Sequence, residues 1–94
     1  MEIKFEESAS KGAFFVEENG ERLAGMYFSK AGDTTLIIDH TDVSDALRGK
    51  NVGKQLVAYA VDYARKNNLK IIPLCPFTKA VIDKTKEYQD VLKN

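Results

Sequence analysis

The sequence holds one thiol, Cys75, and one imidazole, His40, and these are its candidates for nucleophilic and general-base chemistry near neutral pH. Cys75 closes an apolar run and stands directly before Pro76, a residue favoured in the first turn of a helix. That order puts the sulfur at or beside a helix N-cap. Unpaired N–H groups and the helix dipole there favour a thiolate, lowering the thiol pKa from its reference of about 8.5. The same residue also fits a second role, that of a small buried hydrophobe. His40 is flanked by Asp39, Thr41 and Asp42 in an alternating run that places it on the face of Leu36 and Ile38. It is a base on one reading and a hydrogen-bonded structural residue on the other. One Cys and one His cannot close a zinc site without recruiting carboxylates, so no metal centre is expected.

A second chemical feature is the stretch Leu47-Arg48-Gly49-Lys50-Asn51-Val52-Gly53-Lys54-Gln55-Leu56. It follows a β-branched, alternating run and leads into a segment with helical apolar spacing, so it reads as a strand-to-helix loop. Its two glycines allow a tight turn, letting successive N–H groups converge on an anion at the helix start. Arg48, Lys50 and Lys54 surround that point with positive charge, which favours a phosphate or diphosphate over a lone carboxylate. The nucleotide-hydrolase P-loop is excluded, because Gly53 is followed by Lys54 and Gln55 rather than by Lys and a hydroxyl residue. The Gly-x-Gly-x-x-Gly dinucleotide fingerprint is absent too.

The elements that must position these groups are legible in outline. Ile3 and Phe5 suggest a short first strand, residues 13–16 a second, and Asn19-Gly20 the hairpin turn that returns the chain into residues 23–28. Gly25 within that strand marks either a bulge or a small packing position, the latter being preferred. Ala31-Gly32-Asp33 turns the chain into residues 34–43, giving four antiparallel strands. Past the loop, Val52, Leu56, Tyr59, Ala60 and Tyr63 recur at helical spacing, and the two tyrosines read as packing rather than as a ligand-stacking pair. Asn67-Asn68 ends that helix. Residues 70–74 form an apolar strand that a helical crossover makes parallel to the strand before it. Residues 76–92 read as a final helix, broken near Thr85.

Length and composition bound the answer. The 94 residues suffice for one small domain spanning 1–94. Fourteen basic residues balance fourteen acidic ones, so no polyanion-binding field is present and nucleic acid is not an expected partner. No long apolar run predicts a membrane span, and the N-terminal residues lack the order of a signal peptide. With one cysteine no internal disulfide forms, which suits a reducing, cytoplasmic compartment.

The loop resembles the diphosphate loop of the GNAT acetyltransferases, whose pattern is Arg/Gln-x-x-Gly-x-Gly/Ala between a strand and a helix. Arg48 and Gly53 match, and Asn51 stands where the first glycine is usual; Asn tolerates the left-handed region better than most residues. Within that superfamily a subgroup of very short chains is similar in further blocks: Ile38-Asp39-His40-Thr41, Leu47-Arg48-Gly49-Lys50, Val52-Gly53, Ile72-Pro73-Leu74-Cys75-Pro76-Phe77, and the late Glu87-Tyr88-Gln89-Asp90-Val91-Leu92. The resemblance runs from about Ala13 onward. It implies a minimal α+β fold: antiparallel strands, a βαβ unit and a C-terminal helix, with a mixed sheet splayed at the cofactor site.

The resemblance also implies acetyl-CoA as cofactor. Its diphosphate would lie on Arg48, Gly49, Lys50, Asn51, Val52, Gly53 and Lys54, and its pantetheine arm between the splayed strands near Val43, Cys75, Pro76 and Phe77. In the subgroup a cysteine at the Cys75 position lies near the acetyl group, and transfer to an amine through an acetyl-cysteine has been proposed. Cys75 is then the nucleophile, His40 the candidate base, and N–H groups near Pro76 and Phe77 the oxyanion donors, although Pro76 has none to give. The N-terminal helices with which larger relatives build an acceptor groove have no counterpart in this sequence. An open site suits an amine on a macromolecule better than an enclosed metabolite, and it equally suits an acyl-CoA-binding module without turnover. A monomer or weak dimer is expected.

Overall fold

The computed structural model describes residues 2–93. Five strands form one mixed sheet in chain order: β1 (Lys4–Ser8), β2 (Lys11–Glu18), β3 (Glu21–Ala31), β4 (Thr35–Val43) and β5 (Lys70–Pro73). The first four make an antiparallel meander, as short turns require. Asn19 and Gly20 both have positive φ, 53° and 79°, the geometry of a two-residue hairpin whose twist matches its strands. β5 pairs with β4 in parallel, which the crossover through α1 (Val52–Lys66) makes possible. Gly25 is a packing position rather than a bulge. The Tyr27 ring roofs it so closely that a Cβ there would lie 2.5 Å from the phenol oxygen.

Helix α1 turns Val52, Leu56, Val57, Ala60, Val61 and Ala64 onto the sheet. The sheet offers Phe14, Val16, Met26, Phe28, Leu36, Ile38 and Ile71 from one face, and these close a single apolar cluster. Tyr63 extends it, its ring lying 5.1, 5.4 and 6.2 Å from those of Phe5, Phe14 and Phe28. Tyr59 is packed only along one side, 5.4 Å from Phe14, and remains 38% exposed. Asn67 caps α1 and Asn68 leaves it in the left-handed region at φ 56°.

The last helical segment breaks where the sequence suggests. Helix α2 (Pro76–Lys84) ends at Thr85, which is extended, and a 3-10 turn over Lys86–Val91 follows. Thr85 Oγ1 donates to the Val81 carbonyl at 2.7 Å, and Gln89 Nε2 donates to that of Ile82 at 2.6 Å. Beyond the turn, Leu92 lies beside Ile71 and the Lys93 N–H donates to the Ile71 carbonyl at 2.9 Å, covering the free edge of β5. Ile82 and Val91 join the cluster under α1, so both helices occupy one face of the sheet. No described helix lies on the other face, nor is any long and apolar enough to cross a membrane.

Candidate active site

The site begins at an irregularity in β4. Phe28 of β3 pairs with Ile38, but the preceding Tyr27 pairs with His40, so Asp39 is an extra residue in β4. Such a bulge bends its strand and resets the alternation of side chains. Ser29 Oγ donates to Asp39 Oδ2 at 2.6 Å and anchors the bulge on the face without helices. The expectation that His40 shares a face with Leu36 and Ile38 is therefore corrected. His40 pairs with Tyr27 on the helix-free face, stacks on that ring at 6.1 Å and meets Asp42 at 3.5 Å, its side chain 66% exposed. Thr41, paired with Met26, takes the helix-side position instead.

The bulge also parts β4 from β5. Their pairing stops at Ile38 and Pro73, and the Ile38 carbonyl accepts from both Leu74 N–H (3.0 Å) and Cys75 N–H (3.1 Å). Beyond that shared acceptor, β4 continues on β3 alone while the chain after β5 turns into α2. Cys75 is the N-cap of α2, as Pro76 at the first helical position predicts. Its sulfur is almost covered, with the residue 5% exposed, and the thiol donates to Thr41 Oγ1 at 3.5 Å. The Thr41 hydroxyl in turn lies 3.4 Å from that of the fully buried Thr78, one turn into α2. Burial pushes the Cys75 thiol up. Hydrogen bonds from the Thr41 hydroxyl, from the N–H and hydroxyl of Thr78 and from the Phe77 N–H outweigh it, so the pKa falls below the ordinary thiol value.

The loop between β4 and α1 carries the second half of the site. A 3-10 turn over Asp45–Leu47, capped by Ser44 Oγ accepting from Ala46 N–H at 3.2 Å, brings the chain to Arg48. Gly49 (φ 83°) and Asn51 (φ 58°) then take left-handed conformations, so Asn51 does the work of the missing glycine. The N–H groups of Asn51, Val52, Gly53 and Lys54 have no acceptor among the described residues, the first helical bond being Gln55 N–H to Asn51 O at 3.0 Å. Four donors left free at a helix start can receive an anion. Lys50 and Lys54 pair with no carboxylate among the described residues, whereas Arg48 is held by Asp45 at 2.6 Å, both side chains being at least 80% exposed. Gln55 fastens the loop, its Nε2 donating to the Lys50 carbonyl at 3.0 Å. Val43, Arg48, Gly49, Asn51, Val52, Gly53, Lys54 and Phe77 line one depression of about 260 Å3, which Lys50, Cys75 and Pro76 do not line.

These features match a known family over most of the chain. Residues 13–91 fit the profile of the GCN5-related N-acetyl-transferases. The chain belongs to that family. Among relatives, Protein NATD1 of Xenopus tropicalis is 31% identical over 74 residues, 78% of this chain and 68% of that protein. A GCN5-like protein from Staphylococcus aureus, solved by NMR, superposes with a TM-score of 0.71 at 38% identity, covering 97% of this chain and 88% of the other. The fold alone is shared with a ribosomal-protein-alanine N-acetyltransferase from Brucella melitensis (TM-score 0.63, 20% identity, 93% of this chain and 64% of that one). The same holds for AAC(6')-Iy, solved with the bisubstrate analogue CoA-S-monomethyl-acetylneamine (TM-score 0.55, 11% identity, 93% and 65% covered).

In this family member, three residues at the site had no role assigned from the sequence. Thr41 and Thr78 bracket the sulfur, and Gln55 holds the loop. Thr78 carried a readable signal, since a hydroxyl three residues past an N-cap sits in the first turn beside the capping side chain. Thr41 did not, because the bulge that aims it is unmarked by glycine or proline.

Proposed function

We propose that this chain uses acetyl-CoA as acetyl donor and passes the acetyl group to an amine through Cys75. The observation that carries the reading is a pair of features linked through Phe77, which lines the loop depression two residues after Cys75: four N–H groups at the start of α1 unpaired among the described residues, and a notch between β4 and β5 that ends at a hydrogen-bonded thiol. The residues fit the donor. The four N–H groups, with Lys50 and Lys54, make a cradle suited to a diphosphate, and the parted strands offer backbone groups to a pantetheine arm. Bound there, acetyl-CoA supplies a thioester carbonyl.

Cys75 attacks that carbonyl as the thiolate, the new bond forming from Sγ to the acetyl carbon. The bond from that carbon to the CoA sulfur breaks, and the leaving CoA thiolate draws a proton from water, balancing the one Cys75 released to water on ionising. Exchange of one thioester for another is nearly balanced in energy, so the step needs proximity and a thiolate rather than a strong driving force. Thr41, Thr78 and the start of α2 stabilise the thiolate by donating hydrogen bonds to it, and His40, on the opposite face, is not its base. A neutral acceptor amine then attacks the acetyl carbon, the bond from that carbon to Cys75 Sγ breaks, and the proton lost by the amine nitrogen balances the charge of the departing Cys75 thiolate. With no described helix over the far face of the sheet, the approach is open, which favours an amine projecting from a macromolecule. The setting this chemistry suits is a reducing, cytoplasmic one.

A second reading rests on the 5% exposure of Cys75: a sulfur so covered suits an acyl-CoA-binding module that does not turn over. One experiment separates the two. Incubation with acetyl-CoA should add one acetyl group to Cys75 by intact mass, the label should vanish in Cys75→Ala while CoA binding persists, and added amines should discharge it. Acetylation that no amine discharges supports the binding module. No acetylation despite CoA binding removes the covalent route.

A further inference from the structure

Phe77 is an apolar ring in an unusual place. It is 42% exposed at the second position of α2, and its outer edge rests on Gly53 of α1. A Cβ built on Gly53 would lie 2.6 Å from the ring's Cζ and 2.8 Å from Cε2, so the ring occupies the space a side chain at 53 would fill. That space adjoins the unpaired N–H groups of the α1 start. An apolar ring there offers them no acceptor and narrows the depression over the loop, one wall of which it forms. Its other flank borders a larger groove of about 440 Å3 between α1 and α2, where Ala80, Val81 and Tyr88 provide apolar surface and Lys54 and Lys84 also line the wall. The groove thus borders the ring on the side away from the N–H groups.

We propose that Phe77 is a two-position positioning residue: in the free chain its ring stands on Gly53 beside the diphosphate cradle, and anion binding turns it into the α1–α2 groove. The proposal rests on the reading that the cradle takes the CoA diphosphate. It assigns Gly53 a purpose besides backbone approach, that of seating the ring. Because Phe77 lies two residues from Cys75 in the first turn of α2, the turned ring also opens the way from the loop to the notch.

The sequence contains no tryptophan, so Phe77→Trp carries the only indole of the chain and reports on its surroundings. Titration with CoA, and separately with inorganic pyrophosphate, should shift its emission along a saturable curve whose midpoint equals the dissociation constant from calorimetry on the same protein. Adding Gly53→Ala should move the emission to the bound value before any titrant is present, since the methyl group takes the seat. Independently, Phe77→Ala should tighten pyrophosphate binding, by about tenfold if the ring stands over the loop about nine times in ten. Calorimetric binding without an emission change, together with unchanged pyrophosphate affinity in Phe77→Ala, overturns the two-position ring and leaves the cradle standing. Absence of calorimetric binding of either titrant removes the cradle reading and the proposal with it.

Discussion

Replacing Thr41 by valine tests the thiol environment with little disturbance of packing. Valine keeps the shape of threonine and its contact with the neighbouring strand, and removes the one hydroxyl that meets both the Cys75 sulfur at 3.5 Å and Thr78 Oγ1 at 3.4 Å. A hydrogen bond to a charged partner contributes roughly 1.5–3 kcal/mol. Both separations are long, so the lower end applies, and about 1.4 kcal/mol is a factor of ten in thiolate population. The hydroxyl donates to the thiolate, so its loss raises the thiol pKa and moves the alkylation curve toward alkaline pH. At pH 7 iodoacetamide should react with Thr41→Val about tenfold more slowly than with the wild type, with the two rates converging where both thiols are ionised. Thr41→Ser should restore the wild-type curve. Linkage gives a second readout. A thiol whose pKa is lowered on folding contributes stability that is complete above its unfolded pKa of about 8.5 and is lost as pH falls through the folded value, so the wild type should outlast Thr41→Val in urea at pH 9 by more than at pH 6. Coincident alkylation curves for wild type and Thr41→Val would refute the assignment of Thr41.

The other expectations concern the imidazole, the cradle and the core. His40→Gln should leave the alkylation and acetylation rates within about twofold across the pH range, because the ring faces away from the sulfur; a loss confined to neutral pH would restore it as a base. Lys54→Ala should weaken CoA binding by about fivefold, an exposed charge contributing roughly 1 kcal/mol, and Arg48→Ala by less, since Asp45 already holds that guanidinium. Calorimetry at low and high salt checks both the order and the screening. Phe14→Ala removes a fully buried ring that meets those of Phe5, Phe28, Tyr59 and Tyr63, and should cost about 3–5 kcal/mol in a urea titration.

What could be read from the sequence divides along a physical line. Gly49 and Asn51 announce left-handed backbone by residue type, and Pro76 announces a helix start and therefore the N-cap position of Cys75; each statement is local, and the structure has φ 83° and 58° at the first two and the cap at the third. The hairpin at Asn19-Gly20 and the break at Thr85 are local in the same sense. The face that His40 presents is not, because counting by twos from Leu36 holds only while every residue of β4 has its own partner on β3. One unpaired residue, Asp39, reverses the count, and it exchanges His40 for Thr41 at the sulfur. The seat of Phe77 on Gly53 joins two helices and is equally invisible to local reasoning.

That single extra residue has two consequences that belong together. A strand that kept its alternation would keep its pairing with β5 beyond Ile38, and the Ile38 carbonyl would not be left to receive both Leu74 and Cys75 N–H groups. The same irregularity that parts the strands also rotates Thr41 toward the gap. The parting of β4 from β5 and the aim of a hydroxyl at the sulfur thus arise from one local event in β4, and a mutation that removes the bulge should remove both. In a chain with both helices on one face of its sheet, this is an economical way to set a hydrogen-bonded thiol at the end of the gap between β4 and β5.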